Sequence, residues 1–303
     1  MQSLYAFDGN ESSDLSKTES FLNHSVNTMY DLYLVILCLL SEIHKKAKNQ
    51  LDKKQKKLLA TSDDINPNTK FIDLFILNFI SSHKTLEEQI NKKKLNYWDI
   101  DFEYVDILYK AITSSELYHS FMNTEAVNFK KEQQFLVDLY TEVIAPNEKL
   151  YEFIEDQRLT WLDDFPIINT LIVKQLKKIK KTTPEISLLP KLYKDSEDED
   201  FAKKLMKKTI LNYSEFSKEI ATRTKNWDTD RIASIDGILL KMAICEFQKF
   251  PTIPYKVTIN EYLEIAKEYS TPKSSFFING ILDRISKEYI KEHKHPKIGR
   301  GLL

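Results

Sequence analysis

The sequence predicts an all-α protein, built of helical bundles with additional helices in the N-terminal half. Three observations carry this. Apolar residues recur at helical spacing along nearly the whole chain. Only 5 of 303 residues are Gly, too few for a hairpin-rich β fold, whose tight turns want residues at positive φ. Pro67, Pro146, Pro251, Pro254 and Pro272 stand where periodic segments begin or break.

The first long helix covers about 20–47, with Phe21, Leu22, Val26, Met29, Tyr30, Tyr33, Leu34, Leu37 and Leu40 as its apolar stripe. Its most apolar stretch, Leu32–Leu40, falls far short of the roughly 20 residues a membrane span requires. Asn66 and Pro67 read as N-cap and first residue of a helix bearing Ile72, Phe75, Ile76 and Phe79. Helices follow over about 100–120 and 125–155, the second with Phe135, Leu136, Leu139, Tyr140 and Val143, and kinked or split at Pro146. The lysine runs at 53–57, 92–94 and 177–181 read as solvated faces of amphipathic helices. Asp195–Asp200 (DSEDED) is an acidic linker or helix start, and Phe201 opens the next periodic segment.

A faint repeat runs through this region. At an offset of 66, Phe135, Leu139, Ile144, Ile154, Trp161, Asp164 and Ile172 align with Phe201, Leu205, Ile210, Ile220, Trp227, Asp230 and Ile238. Taken as a repeat, it implies one helical unit used twice.

In the C-terminal third, Ser234 reads as the N-cap of a helix burying Ile235, Ile238, Leu239, Met242 and Cys245. Pro251 and Pro254 end it and force an extended connector. Thr258-Ile-Asn-Glu261 has the form of a capping box, with Val257 and Tyr262 as a hydrophobic staple. Thr271 and Pro272 are expected to start the last helix, which carries Phe277, Ile281 and Ile285 on one face. Gly280 inside it costs roughly 1 kcal/mol against Ala, for which close helix–helix packing is the expected reason.

Charge and motif content narrow the function. The chain balances 44 Lys+Arg against 45 Asp+Glu, but residues 201–303 hold 19 against 12, leaving the first 200 with a net of −8. A polyanion partner is therefore expected at the C-terminal third. Neither GxGxxG nor GxxxxGK[ST] occurs, which argues against nucleotide-loop chemistry. The six histidines, His24, His44, His83, His119, His293 and His295, form no metal-binding spacing, and no GxSxG is present. Cys38 and Cys245 read as two buried, reduced thiols. A soluble cytoplasmic protein without catalysis, metal or cofactor is expected, with no signal peptide at Met1.

The segment IPYKVTINEYLEIAKEY followed by SSFFINGILDRI resembles the C-terminal signature of the NusB family of transcription antitermination factors. SIDGILLKMAICE ahead of it, and QSLYA at residues 2–6, are similar to two further helices of that family. The strong match covers about 230–290, with weaker similarity back to about 130. The resemblance implies 1–8 as the start of a first NusB-like helix, 9–130 as a helical insertion, 131–292 as the NusB-like domain and 293–303 as a flexible basic tail. It implies a partnership with the ribosomal protein NusE, binding of boxA RNA, and work on RNA polymerase in the antitermination complex.

RNA contact is expected from Lys256, Lys273, Ser274, Ser275 and Phe277, at or near the starts of the last two helices. Phe277 has core packing as its alternative. Gln2, Tyr5, Asn260 and Asn279 are further candidates for RNA or partner contact, the two asparagines having capping or bridging of helices as their alternative. Family members carry an arginine-rich stretch ahead of the first helix, so the true start is expected upstream of Met1. Two other readings remain: a NusB-like interaction scaffold without RNA binding, and the RNA-binding domain of an rRNA methyltransferase without its catalytic part.

Overall fold

The computed structural model describes residues 1–9, 14–56, 67–183, 188–224 and 233–298. Among them are fifteen α-helices, one π-helical turn and no strand. The chain packs as two compact units, Ser25–Leu192 and Met1–His24 with Tyr193–Leu303. Both draw on α2 (Leu15–Gln55), since the boundary falls within it.

In the central unit α2 is the axis. Leu32 to Leu40 are at most 1 % exposed apart from Cys38, so this stretch is apolar because protein surrounds it on every side. Eight helices and the π turn share its core: α3 (Phe75–Ser81), α4 (Lys84–Lys93), α5 (Tyr97–Ile100), α6 (Phe102–Thr113), α7 (Glu116–Asn123), α8 (Phe129–Leu139), the turn Tyr140–Ile144, α9 (Glu148–Gln157) and α10 (Thr160–Lys178). Large buried side chains that carry a polar atom find partners, among them backbone carbonyls. The Trp161 and Trp98 indoles donate to Thr28 and Val35 of α2 at 2.8 and 3.0 Å, and the Tyr33 hydroxyl donates to Leu188 at 2.6 Å. Buried rings of this kind keep their area inside without stranding a donor. His44 is a core residue too, 2.7 Å from Ser81 Oγ and 2.8 Å from the Ile72 carbonyl. Burial pushes its pKa down.

Several boundaries differ from the sequence expectation. Asn66 lies outside the described residues, and Pro67 starts no helix; α3 begins at Phe75. The intervening polar side chains are occupied elsewhere, with Asn68 Nδ2 and Lys70 Nζ donating to the Met122 carbonyl at the end of α7, at 2.8 and 2.6 Å. The helix expected over 100–120 breaks at 114–115, where Ser115 Oγ caps α7 through the Tyr118 amide at 3.2 Å. Pro146 splits its helix as expected, and Asn147 caps the restart at Lys149. Residues 131–192 belong to the same compact unit as 25–130. The reason is that Trp161, Phe165 and Ile172 complete the core around Leu32–Leu40.

The other unit is organised on α13 (Ser234–Lys249), which packs against α1 (Gln2–Asp8), α11 (Ser196–Leu211), α12 (Tyr213–Arg223), α14 (Tyr255–Tyr269) and α15 (Ser274–Lys291). From Ile238 to Phe247 every α13 residue but Lys241 is buried. Asp195 caps α11 by accepting from Glu197 and Asp198 amides at 3.0 Å, which makes DSEDED a helix start. The 66-residue offset holds for whole elements: 129–144 shifts onto α11 and α9 onto α12, each to within one residue. Trp227 and Asp230 lie outside the described residues.

The last residues are placed rather than loose. The Ile298 amide donates to Pro251 at 2.8 Å, the Tyr255 hydroxyl donates to His295 at 2.7 Å, and the His295 and Tyr289 rings stand 4.8 Å apart. Lys297 Nζ donates to the carbonyls of Glu246 and Phe250, at 3.1 and 3.0 Å. It thereby caps the end of α13. Residues 293–298 of the expected tail make these contacts; residues 299–303 are outside the described set. Both thiols are unpaired, and burial pushes Cys38 up to about 12 and Cys245 up to about 11.

Gly280 overturns its expected role. A Cβ built there meets nothing within 4 Å, so no neighbouring helix requires the glycine. Gly280→Ala is expected to raise stability by up to about 1 kcal/mol, read as a higher urea midpoint; a lower midpoint refutes this. Desolvation lowers Lys297 from 10.5 to about 8. Between those values the unfolded chain holds more protons at this residue than the folded one, so Lys297 makes stability rise with pH across this window, while Cys38 and Cys245, raised on folding, oppose it from about pH 9. The slope is best read over about pH 8 to 9.5, below the ionisation of unfolded tyrosines. Lys297→Met should make the slope less positive than in wild type, and an unaltered slope would assign the pH dependence to other groups.

Candidate nucleic-acid interface

α14 and α15 are joined by only four residues, 270–273, so they run antiparallel and their N-termini lie at opposite ends of the hairpin. Lys256, in the first turn of α14, sits at the end where Tyr255 meets the tail. Lys273, the N-cap of α15, sits at the other. At 1.5 Å per residue the two are about 20 Å apart. Both are exposed, as expected, but the structure does not gather them into one patch.

The loop between the helices is held from below. Asp236, on the first turn of α13 and 5 % exposed, accepts from Ser270 Oγ at 2.6 Å and from Ser274 Oγ at 2.7 Å. Thr271 Oγ1 and Ser274 Oγ are 2.8 Å apart. The carboxylate therefore lies close to the amino ends of two helices, where their dipoles favour negative charge. Ser274 and Ser275 are corrected as RNA contacts. They are 2 % and 9 % exposed, and the Ser274 hydroxyl is committed to Asp236.

Phe277 is less open than an RNA-stacking ring was expected to be. It is half-buried and packs against the C-terminal core, the outcome its apolar alternative anticipated. Its neighbour Phe276 is 79 % exposed. The Phe277, Ile281, Ile285 stripe already contained this signal: one residue turns a helix by about 100°, so the face that buries Phe277 turns Phe276 outward. Asn260 and Asn279 are exposed on α14 and α15. Gln2 and Tyr5 are exposed on α1, which packs chiefly on α11 and α13 through buried Leu4.

Helix starts also differ from the expected caps. α14 begins at Tyr255 behind Pro254, not at Thr258. Thr258 Oγ1 donates instead to the buried Glu246 carboxylate, which Tyr262 also approaches at 3.4 Å. Glu261 is exposed, so the capping box is not formed. Ala233, not Ser234, is the N-cap of α13. Thr271 and Pro272 form a turn that delivers the chain to Ser274, with the Ser274 amide bonded to Thr271 at 2.9 Å.

The amino end of α15 thus presents an exposed ammonium at Lys273, an exposed ring at Phe276 and the first-turn amides of a long helix. Such amides have no carbonyl within the helix to bond; that of Ser274 is taken by Thr271 and that of Phe277 by Lys273, which leaves those of Ser275 and Phe276. Together these groups suit a phosphate and an unstacked base. Among the described residues no three His, Cys, Asp or Glu side chains gather as metal ligands.

The sequence profile of the NusB family matches residues 167–287, from α10 into α15. Transcription antitermination protein NusB of Salinibacter ruber is 41 % identical over 112 residues, 37 % of this chain and 70 % of that protein. The chain belongs to the NusB family. The protein of the same name from Chloroherpeton thalassium is 36 % identical over 137 residues, 45 % of this chain and 65 % of that one. That of Thermodesulfovibrio yellowstonii is 44 % identical over 100 residues, 33 % and 66 %. No solved structure matches the chain. Asp236, Glu246, Lys256, Lys273 and Phe276 all fall within the NusB-matched segment.

Asp236→Ala leaves the Ser270 and Ser274 hydroxyls without their acceptor and is expected to cost roughly 1–3 kcal/mol. Hydrogen exchange of the 270–276 amides should quicken ahead of that of α13. Exchange equal to wild type would show that Asp236 does not hold the loop.

Proposed function

We propose that the chain is a transcription antitermination factor that binds single-stranded boxA-type RNA together with ribosomal protein NusE, as part of the RNA polymerase antitermination complex in the cytoplasm. The observation that carries this reading is the exposed pair Lys273 and Phe276 at the open amino end of α15, inside the segment that matches NusB. Single-stranded RNA is recognised through stacking of unpaired bases and neutralisation of phosphates. Lys273 and the first-turn amides serve the phosphate, and Phe276 serves the base. Lys256, about 20 Å along the hairpin, offers a second phosphate contact to a strand that runs the length of α14. The activity is binding rather than bond-making.

Anisotropy titration of labelled boxA-type RNA, with and without NusE at two salt concentrations, tests this. Binding should be tighter for the pair and should weaken with salt. Lys256→Glu or Lys273→Glu should weaken it clearly and lower the salt slope by about one per lost phosphate contact. Phe276→Ala should cost about 1–3 kcal/mol with little change in that slope. Affinity unchanged by both Lys273→Glu and Phe276→Ala would remove this face from the reading.

A further inference from the structure

The central unit carries a second surface, outside the segment matched by the NusB profile. α5 ends on Ile100, 79 % exposed, and α6 begins on Phe102, 63 % exposed. Between them Asp101 accepts from Gln157 Nε2 at 3.5 Å, two residues before Leu159, which is 71 % exposed. Three large apolar side chains are therefore in water around a single contact between the α5–α6 junction and the end of α9.

Negative charge surrounds the same place. Tyr104, half-buried against Phe153 of α9, has its pKa raised by burial and then by Asp156, Glu103, Glu152 and Asp101. These four carboxylates accordingly lie close to one ring. Residues 97–106 and 147–165 together hold ten Asp and Glu, and their basic residues are Lys149 and Arg158. Lys149 pairs with Glu152 at 2.6 Å, and Arg158 lies over the Trp161 ring at 5.4 Å. Lys46 of α2 pairs with Asp106, and net negative charge still remains beside the apolar side chains.

An exposed apolar cluster bordered by charge is the composition of an interaction surface, and here the sign of the charge selects the partner. Nucleic acid and anionic lipid are repelled. We propose that this face docks a segment of a basic protein, with Lys or Arg side chains on the carboxylates around Tyr104 and aliphatic side chains on Ile100, Phe102 and Leu159. This goes beyond the RNA reading and stands on different residues in a different unit. The carboxylates give such a partner a fast, salt-sensitive encounter, and the apolar cluster retains it.

The probe is a fluorescently labelled amphipathic peptide with Leu and Lys at helical spacing, titrated into the full chain. Its counterpart with Glu in place of Lys is the control. Saturable binding of the Lys peptide alone is expected. Phe102→Ser with Leu159→Ser, and separately Glu103→Lys with Asp156→Lys, should each weaken it about tenfold or more. These are exposed positions, so unchanged circular dichroism accompanies the loss. The same charge change at Glu197→Lys with Glu199→Lys, on α11, should leave binding as it was. No saturable binding overturns the proposal, as does equal weakening by the α11 variant. Sedimentation velocity supplies the remaining outcome. Self-association abolished by the Glu103 and Asp156 changes, without peptide binding, makes a second copy the occupant and overturns the basic-protein reading.

Discussion

Asp236 and Glu246 stand ten residues apart near the two ends of α13, about 15 Å along a helix that is otherwise almost wholly apolar and buried. A buried carboxylate is costly unless hydrogen-bond donors meet it, and here each is met by hydroxyls from the same hairpin. Ser270 and Ser274 serve Asp236; Thr258 and Tyr262 serve Glu246. A slip of α14–α15 by one turn would strand both acids at once. Apolar contacts alone tolerate such slips far better, because Ile and Leu interchange at little cost. The two acids therefore fix the register of the hairpin, and through it the position of Lys273 and the outward turn of Phe276.

This explains what the sequence disclosed and what it concealed. The existence and order of the C-terminal helices followed from periodicity and from Pro251, Pro254 and Pro272, since those constraints are local. The starts did not follow. Thr258 fits a capping box as well as it fits a bond to a carboxylate twelve residues earlier, and only the packed structure chooses between them. The same holds for Ser274, whose partner lies 38 residues away. Lys256 and Lys273 were legible as exposed cations because no apolar stripe includes them. Their separation was not legible, because it depends on how two helices fold back on each other. For Gly280 the expected cause was a close neighbour; the open space beside it leaves its retention without a packing reason.

Whole-chain averages conceal the chemistry for a related reason. A formal net charge of −1 describes neither the amino end of α15 nor the carboxylates around Tyr104. Charges act over about 10 Å at ordinary ionic strength, so what a partner meets is the local sum. Packing is likewise local. Leu32–Leu40 alone is too short to span a bilayer; the longer helix α2 around it is long and apolar enough to do so, yet Leu32–Leu40 is enclosed by protein. Its composition follows from that enclosure.

The equal spacing of α8 with its π turn and α9, and of α11 and α12, also bears on how the chain reaches its fold. Helices of matching length and stripe within one polypeptide compete for the same partners while they are only partly packed, and such competition is a source of misassembly in chains with internal likeness. The two copies are told apart by local irregularities. Pro146 falls opposite Asn212, at a break that both share. The π turn at Tyr140–Ile144 marks the first, whereas the positions 66 residues later run as regular α-helix. A segment bent in this way does not fit the bed of its straight counterpart. The π turn is thus the feature by which two otherwise matching stretches differ in shape, each suited to its own core.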